Sequence, residues 1–151
     1  MRLDAHQHFW CYDPAQHVWM TDAMGALRRD YLPEDLAPLL QATGFDGTIA
    51  VQARQVVEET EWLLALADQH AFIRGVVGWV DLRSTDLAAQ LEWLGANPKL
   101  KGVRHVVHDD PDEDFMLLPE FRRGIARLGP AGLTFDPVSY THLTLPTSDL
   151  V

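Results

Sequence analysis

Leu3-Asp4-Ala5-His6-Gln7-His8-Phe9-Trp10 is the stretch from which the rest of the chain is read. It reads as a β-strand. Side chains two apart on a strand share a face, so Asp4, His6 and His8 point one way while Leu3 and Ala5 point the other. That is the pattern of a site rather than of a core. Imidazoles at i and i+2 can converge on one divalent metal, or on one developing oxyanion, while neutral at physiological pH. The plainer alternative is a chance His-x-His pair that is merely solvated or hydrogen-bonded. The pair ends an N-terminal strand and feeds a long polar-aromatic loop, which is where α/β proteins place chemistry.

Outward from this strand runs a repeated strand-then-helix rhythm. Short runs rich in β-branched residues predict further strands over Gly47–Gln52, Ile73–Val80 and Leu100–Val107, with a fifth beginning at Leu133-Thr134-Phe135-Asp136. Between them, Leu36, Leu39 and Leu40, then Trp62, Leu63, Leu66 and Ala67, then Leu87, Leu91 and Leu94, and finally Phe121, Ile125 and Leu128 follow the stripe of an amphipathic helix. Asp35 is the expected cap of the first helix, which places Pro38 in its first turn and Gly44 at its end. Ser84 or Thr85 is expected to cap the third, Pro119 suits the first turn of the fourth, and Gly129-Pro130 stops it. The second has no obvious cap. Trp62, Trp93 and Phe121 are expected in the core.

Successive β-α units imply parallel strands. No Gly-rich phosphate loop follows the first strand, which argues against a doubly wound nucleotide-binding sheet. The expected fold class is therefore α/β, an incomplete (β/α)8 TIM-type barrel with about the first four βα units plus the start of the fifth strand. A complete barrel needs about 250 residues, so 151 make roughly half of one.

Composition narrows the function. A formal net charge of −10 leaves no clustered Lys and Arg for phosphate, so nucleic acid is not an expected partner. No run approaches the apolar length of a membrane span and no secretory signal is legible, so no membrane partner is expected and the cytoplasm is the expected location. Cys11 is the only cysteine, so it can form no intrachain disulfide, and it reads as an inert thiol. The acidic run Asp109-Asp110-Pro111-Asp112-Glu113-Asp114 lacks the pattern of an EF-hand and reads as a solvated loop.

Five segments together carry a resemblance: Asp4–Trp10, Leu32-Pro33-Glu34-Asp35-Leu36, Val51-Gln52-Ala53, Gly78-Trp79-Val80-Asp81 and Gly102-Val103-Arg104-His105. In order and spacing, residues 1 to about 136 resemble the N-terminal half of the amidohydrolase-2 family, in the lactonase branch that includes L-fuconolactonase and 2-pyrone-4,6-dicarboxylate lactonase. The resemblance implies a distorted (β/α)8 barrel and hydrolysis of C–O or C–N bonds in esters, lactones and amides. The substrate it implies is a sugar-acid lactone or related carboxylate lactone, a small molecule. His6 and His8 would polarise the carbonyl, directly or through one divalent metal such as zinc; some lactonases of this branch need no tightly bound metal. Arg104, at the end of the fourth strand, offers a bidentate fork for a carboxylate or hydroxyl. Gln52 and Asp81 end the second and third strands and are candidates to bind a polyol, with a structural role as the alternative.

Trp10 is expected to wall the pocket or anchor its loop. His108 shares a strand face with Arg104 and is expected to approach the site, whereas His105 is expected to point toward the helices. Related enzymes take a further His and a general-base Asp from later strands, beyond the reach of this chain. Val138–Thr147 looks like a translated transposon-end sequencing adapter, so residues 1–136 are expected to form the half-barrel and 137–151 a non-native tail contributing little to the core. The expectation is a lactonase-type hydrolase, truncated and inactive alone. A metal-dependent decarboxylase and a non-catalytic half-barrel fragment are the alternatives. Oligomeric state is not legible.

Overall fold

The computed structural model describes residues 1–112 and 114–139. Five strands, β1 (Leu3–Gln7), β2 (Gly47–Val51), β3 (Ile73–Gly78), β4 (Leu100–Val106) and β5 (Thr134–Val138), form one sheet in the order β1-β2-β3-β4-β5. All neighbours run parallel. Four helices connect them: α1 (Pro33–Thr43), α2 (Val57–Gln69), α3 (Leu87–Gly95) and α4 (Pro119–Leu128). A doubly wound sheet reverses its strand order at a switch point, whereas this one follows the chain from edge to edge, as the wall of a barrel does. The result is a curled half-barrel.

The core lies on the helix side of the sheet. Leu63, Ala67, Ile73, Val76, Leu87, Leu91, Val103, Phe121 and Leu128 belong to one buried apolar cluster, so the helical stripes read from the sequence do face the strands. Trp62 packs against that cluster only in part. Trp93 does not join it and is 57% exposed. The cause is angular: α3 buries Leu87, Leu91 and Leu94, and Trp93 lies one residue, about 100°, off that stripe. Leu39 is likewise exposed beside buried Leu40.

Helix starts differ from the sequence reading in instructive ways. Helix α1 begins at Pro33, with Asp35 inside its first turn rather than before it, and the Asp35 carboxylate accepts the Leu32 N–H at 3.0 Å. Pro38 therefore sits in the helix interior, where it removes a backbone donor. Gly44 closes α1 in the left-handed conformation at φ 72°, a cost that glycine alone avoids. Helix α3 starts after Asp86; Ser84 Oγ accepts the Asp86 N–H at 3.1 Å in the turn leading in. Helix α4 does begin at Pro119.

Strand β5 runs past Asp136. Pro137 pairs with His105 and Val138 with Val106, so the break read at Pro137 is not the end of the strand. Proline is tolerated there because β5 is the edge strand among the described residues. From residue 140 onward, His142 included, the adapter-like stretch lies outside the described residues. No helix among the described residues is long and apolar enough to cross a membrane.

Candidate active site

At the C-terminal end of β1, the Nε2 atoms of His6 and His8 lie 3.2 Å apart. Beside them the Nδ1 of His8 is 2.9 Å from the Val51 carbonyl oxygen at the end of β2. A carbonyl only accepts, so Nδ1–H is the donor and the lone pair of neutral His8 sits on Nε2, facing His6. Burial pushes the His8 imidazole below its ordinary pKa, partly opposed by that backbone hydrogen bond. Two nitrogens at the usual ligand distance from one tetrahedral zinc are separated by about 3.3 Å. The pair therefore fits one divalent ion, or a His6 N–H donated to His8.

Asp4 does not join them. The β1–β2 register shifts between Asp4 and Gln7, and the Asp4 carboxylate instead accepts the His6 backbone N–H at 3.3 Å. The shift marks a bulge or similar irregularity in the strand that leads into the two histidines.

His8 opens onto a cavity of about 290 Å³ whose other walls are Trp10, Trp19, Ala53, Arg104, Val106 and Asp109. The indole N–H of Trp10 donates to the carbonyls of Arg29 (2.9 Å) and Leu27 (3.3 Å) while the backbones of Trp10 and Tyr31 pair. Trp10 is thus loop anchor and cavity wall at once. Arg104 Nη1 donates to the Gln52 carbonyl at 3.0 Å, and its Nε lies 3.9 Å from an Asp136 carboxylate oxygen on β5. Burial pushes the Arg104 guanidinium below its ordinary pKa, partly opposed by Asp136; a guanidinium ionises so far above neutrality that it remains a cation.

Three expected site residues are not on that wall. Gln52 is fully buried, and its Nε2 donates to the Arg104 carbonyl at 3.4 Å. Its backbone, not its side chain, serves the site. The Asp81 carboxylate accepts the Arg83 N–H at 3.0 Å and lies 3.6 Å from the Arg83 Nε. His108 falls in a 3-10 turn after β4 ends at Val106, so the strand alternation that paired it with Arg104 no longer applies. Its Nδ1 lies 3.2 Å from the Val138 carbonyl oxygen and its Nε2 3.4 Å from Asp109. His105 does turn to the helix side, stacked on Phe115 with ring centres 4.5 Å apart.

Sequence reading missed Trp19, Asp109 and Asp136. Only the last carried a signal, since a strand-end residue on β5 is registered directly with Arg104 on β4. Cys11 is exposed, and desolvation together with the Asp30 carboxylate raises its pKa, which keeps the thiol protonated. Among the described residues, no three His, Cys, Asp or Glu side chains are grouped to hold a metal.

A family model described as amidohydrolase matches residues 3–150. The chain belongs to the amidohydrolase family. Within that family it is 45% identical, over 138 residues, to an L-fucono-1,5-lactonase of Burkholderia multivorans (90% of this chain, 46% of that protein). It is 38% identical over 143 residues to an L-fucono-1,5-lactonase of Burkholderia ambifaria (94% and 49%). The chain spans about half the length of the curated relatives it matches. A crystal structure of an amidohydrolase from Burkholderia multivorans with bound zinc superposes with a TM-score of 0.83 at 42% identity, covering 89% of this chain and 48% of that one. A probable 2-pyrone-4,6-dicarboxylic acid hydrolase from Acinetobacter baumannii, with citric acid bound, shares the fold with a TM-score of 0.68 at 14% identity, covering 90% and 48%.

Proposed function

We propose that this amidohydrolase chain carries the first half of a lactone-opening site whose substrate is a sugar-acid lactone or a related small carboxylate lactone. The observation that carries the reading is the His6–His8 pair, with His8 held in one tautomer beside the cavity that Arg104 and Trp10 wall. The L-fucono-1,5-lactonase relatives support the substrate class.

In the reaction, water adds to the lactone carbonyl carbon, the ring C–O bond breaks, and a hydroxy acid leaves. Charge develops on the carbonyl oxygen, and donors or cations aimed at that oxygen lower the barrier. His6 and His8 would act there, directly or by holding a divalent metal such as zinc. When bound, such an ion supplies Lewis-acid polarisation of the carbonyl. Arg104 would hold a substrate oxygen on the other wall, and the apolar indole of Trp10 would cover a ring face. Because catalytic zinc normally takes three protein ligands, the proposal places the third ligand and the general base in the length of the relatives that this chain does not span. No activity of its own is then expected for the 151-residue chain.

The test assays aldonolactones and a pyrone dicarboxylate lactone by acid release, using this chain and the open reading frame extended past Asp136. The extended protein should open at least one lactone, and His6→Ala with His8→Ala should reduce its rate by a factor of about 10²–10⁴. Full activity in that double variant would overturn the reading. Turnover by the 151-residue chain well above its own double variant would overturn the assignment of the missing groups.

A further inference from the structure

We propose that Glu59 is a positioning residue: by clamping Ala53 and Arg54 it holds the end of β2, whose carbonyls orient His8 and Arg104. The inference rests on the reading of those two as site residues. Glu59 lies in the first turn of α2 and is 1% exposed, whereas its neighbour Glu58 is exposed. A glutamate at this helix position ordinarily reaches back to the N-cap N–H. Here it reaches farther. One carboxylate oxygen accepts the N–H groups of Ala53 (2.5 Å) and Arg54 (2.9 Å), and the other accepts the Arg54 Nε–H at 2.5 Å. Burying a carboxylate is costly unless donors of this kind compensate it.

The clamped segment is where the site is assembled. Val51 presents its carbonyl to His8, and Gln52 presents its own to Arg104. Ala53 lines the cavity. Gln55 Oε1 accepts the Val106 N–H at 2.8 Å, which ties the same segment to the end of β4. Each of the five consecutive residues Val51 to Gln55 thus serves the cavity, the clamp or the tie to β4, and Ala53 serves two of them. If the segment pivots, the Val51 carbonyl leaves His8 Nδ1, the tautomer is no longer fixed, and the lone pair no longer faces His6.

The experiment is nitrogen-15 NMR of histidine-labelled 151-residue chain, comparing wild type with Glu59→Gln, Glu59→Ala and Leu128→Ala. Leu128 is buried in the apolar core on α4, two helices away from the clamp, so it reports a loss of core packing alone. Wild type should show His8 as a fixed neutral Nδ1–H tautomer. In Glu59→Ala the ring shifts should move toward tautomer-averaged values and Nδ1–H exchange should quicken by about tenfold, with a smaller change in Glu59→Gln. Leu128→Ala should leave both unchanged. Folded Glu59 variants with a wild-type His8 spectrum, or an equal change in Leu128→Ala, would overturn the proposal. Failure of both Glu59 variants to fold would do the same by assigning Glu59 to global stability. The readout involves no turnover, so a failed lactone assay and a failed positioning test are separate results.

Discussion

His105 on β4 and His8 beyond the end of β1 are both depressed in pKa by burial, yet they sit on opposite sides of the sheet and in opposite tautomers. On the helix side, His105 Nδ1 accepts the Trp79 indole N–H at 3.1 Å, and its ring stacks on Phe115. Its proton is therefore on Nε2, and the ring serves packing. On the inner side, His8 donates its Nδ1–H in a hydrogen bond to the Val51 carbonyl and turns its lone pair toward His6. The same residue type is a core element where aromatics enclose it and a potential ligand where a carbonyl accepts its Nδ1–H hydrogen bond. Strand alternation divides the two roles: Val103 and His105 go outward to the helices, Arg104 and Val106 inward to the cavity.

Substitutions on the helix side should cost stability and those on the inner side should not. The largest effect is expected for Phe121→Ala, which removes a ring packed against Phe115, Phe135 and His105 and should cost about 3–5 kcal/mol in urea unfolding. Next is Gly124→Ala. Alanine ordinarily strengthens a helix interior, but here its Cβ would meet the Leu82 carbonyl oxygen at 2.0 Å. A loss of about 1–3 kcal/mol is expected in the same measurement.

The third prediction sharpens the histidine comparison. The folded pKa values of His105 and His8 lie below the ordinary value, so below about pH 6.5 the unfolded chain binds more protons than the folded one. Stability contributed by the neutral rings is complete above that pH and is lost as pH falls toward the folded values. The slope for one such group reaches at most about 1.4 kcal/mol per pH unit. His105→Gln should flatten that acid slope while lowering stability at neutral pH; an unchanged slope between pH 6.5 and 5 would show that His105 does not carry it. The smallest effect belongs to the inner edge: His6→Ala removes an exposed ring and should change unfolding free energy by no more than about 0.5 kcal/mol. A larger loss would mean that the pair is structural.

Most of the fold was legible because it is periodic. Alternation marked β1, short runs rich in β-branched residues marked β2, β3 and β4, the 3.6-residue stripe marked α2, α3 and α4, and Gly44 marked the end of α1. Errors fell where one residue's angle or partner decides. Trp93 is a single step off its stripe, Pro38 entered the helix because Asp35 caps from within, and His108 lies in a 3-10 turn because β4 ends at Val106, one residue before the end read from the sequence. Of the residues lining the candidate cavity, His8, Arg104 and Trp10 were named from the sequence, His8 by strand spacing and the other two with the family resemblance beside it; Trp19 and Asp109 were not, because they come from segments without a period.

By itself the sequence determined which residue types stand at the ends of β1 and β4 and that the strands run parallel, since both follow from local repeats along one dimension. The tertiary structure decided what those residues do. The His8 tautomer depends on a carbonyl 43 positions away, and Arg104 is held by one 52 positions away. Glu59 and Glu58 are adjacent and identical in type, yet only one is buried. No local pattern separates them, because burial and hydrogen-bond partners are set by which segments meet in space.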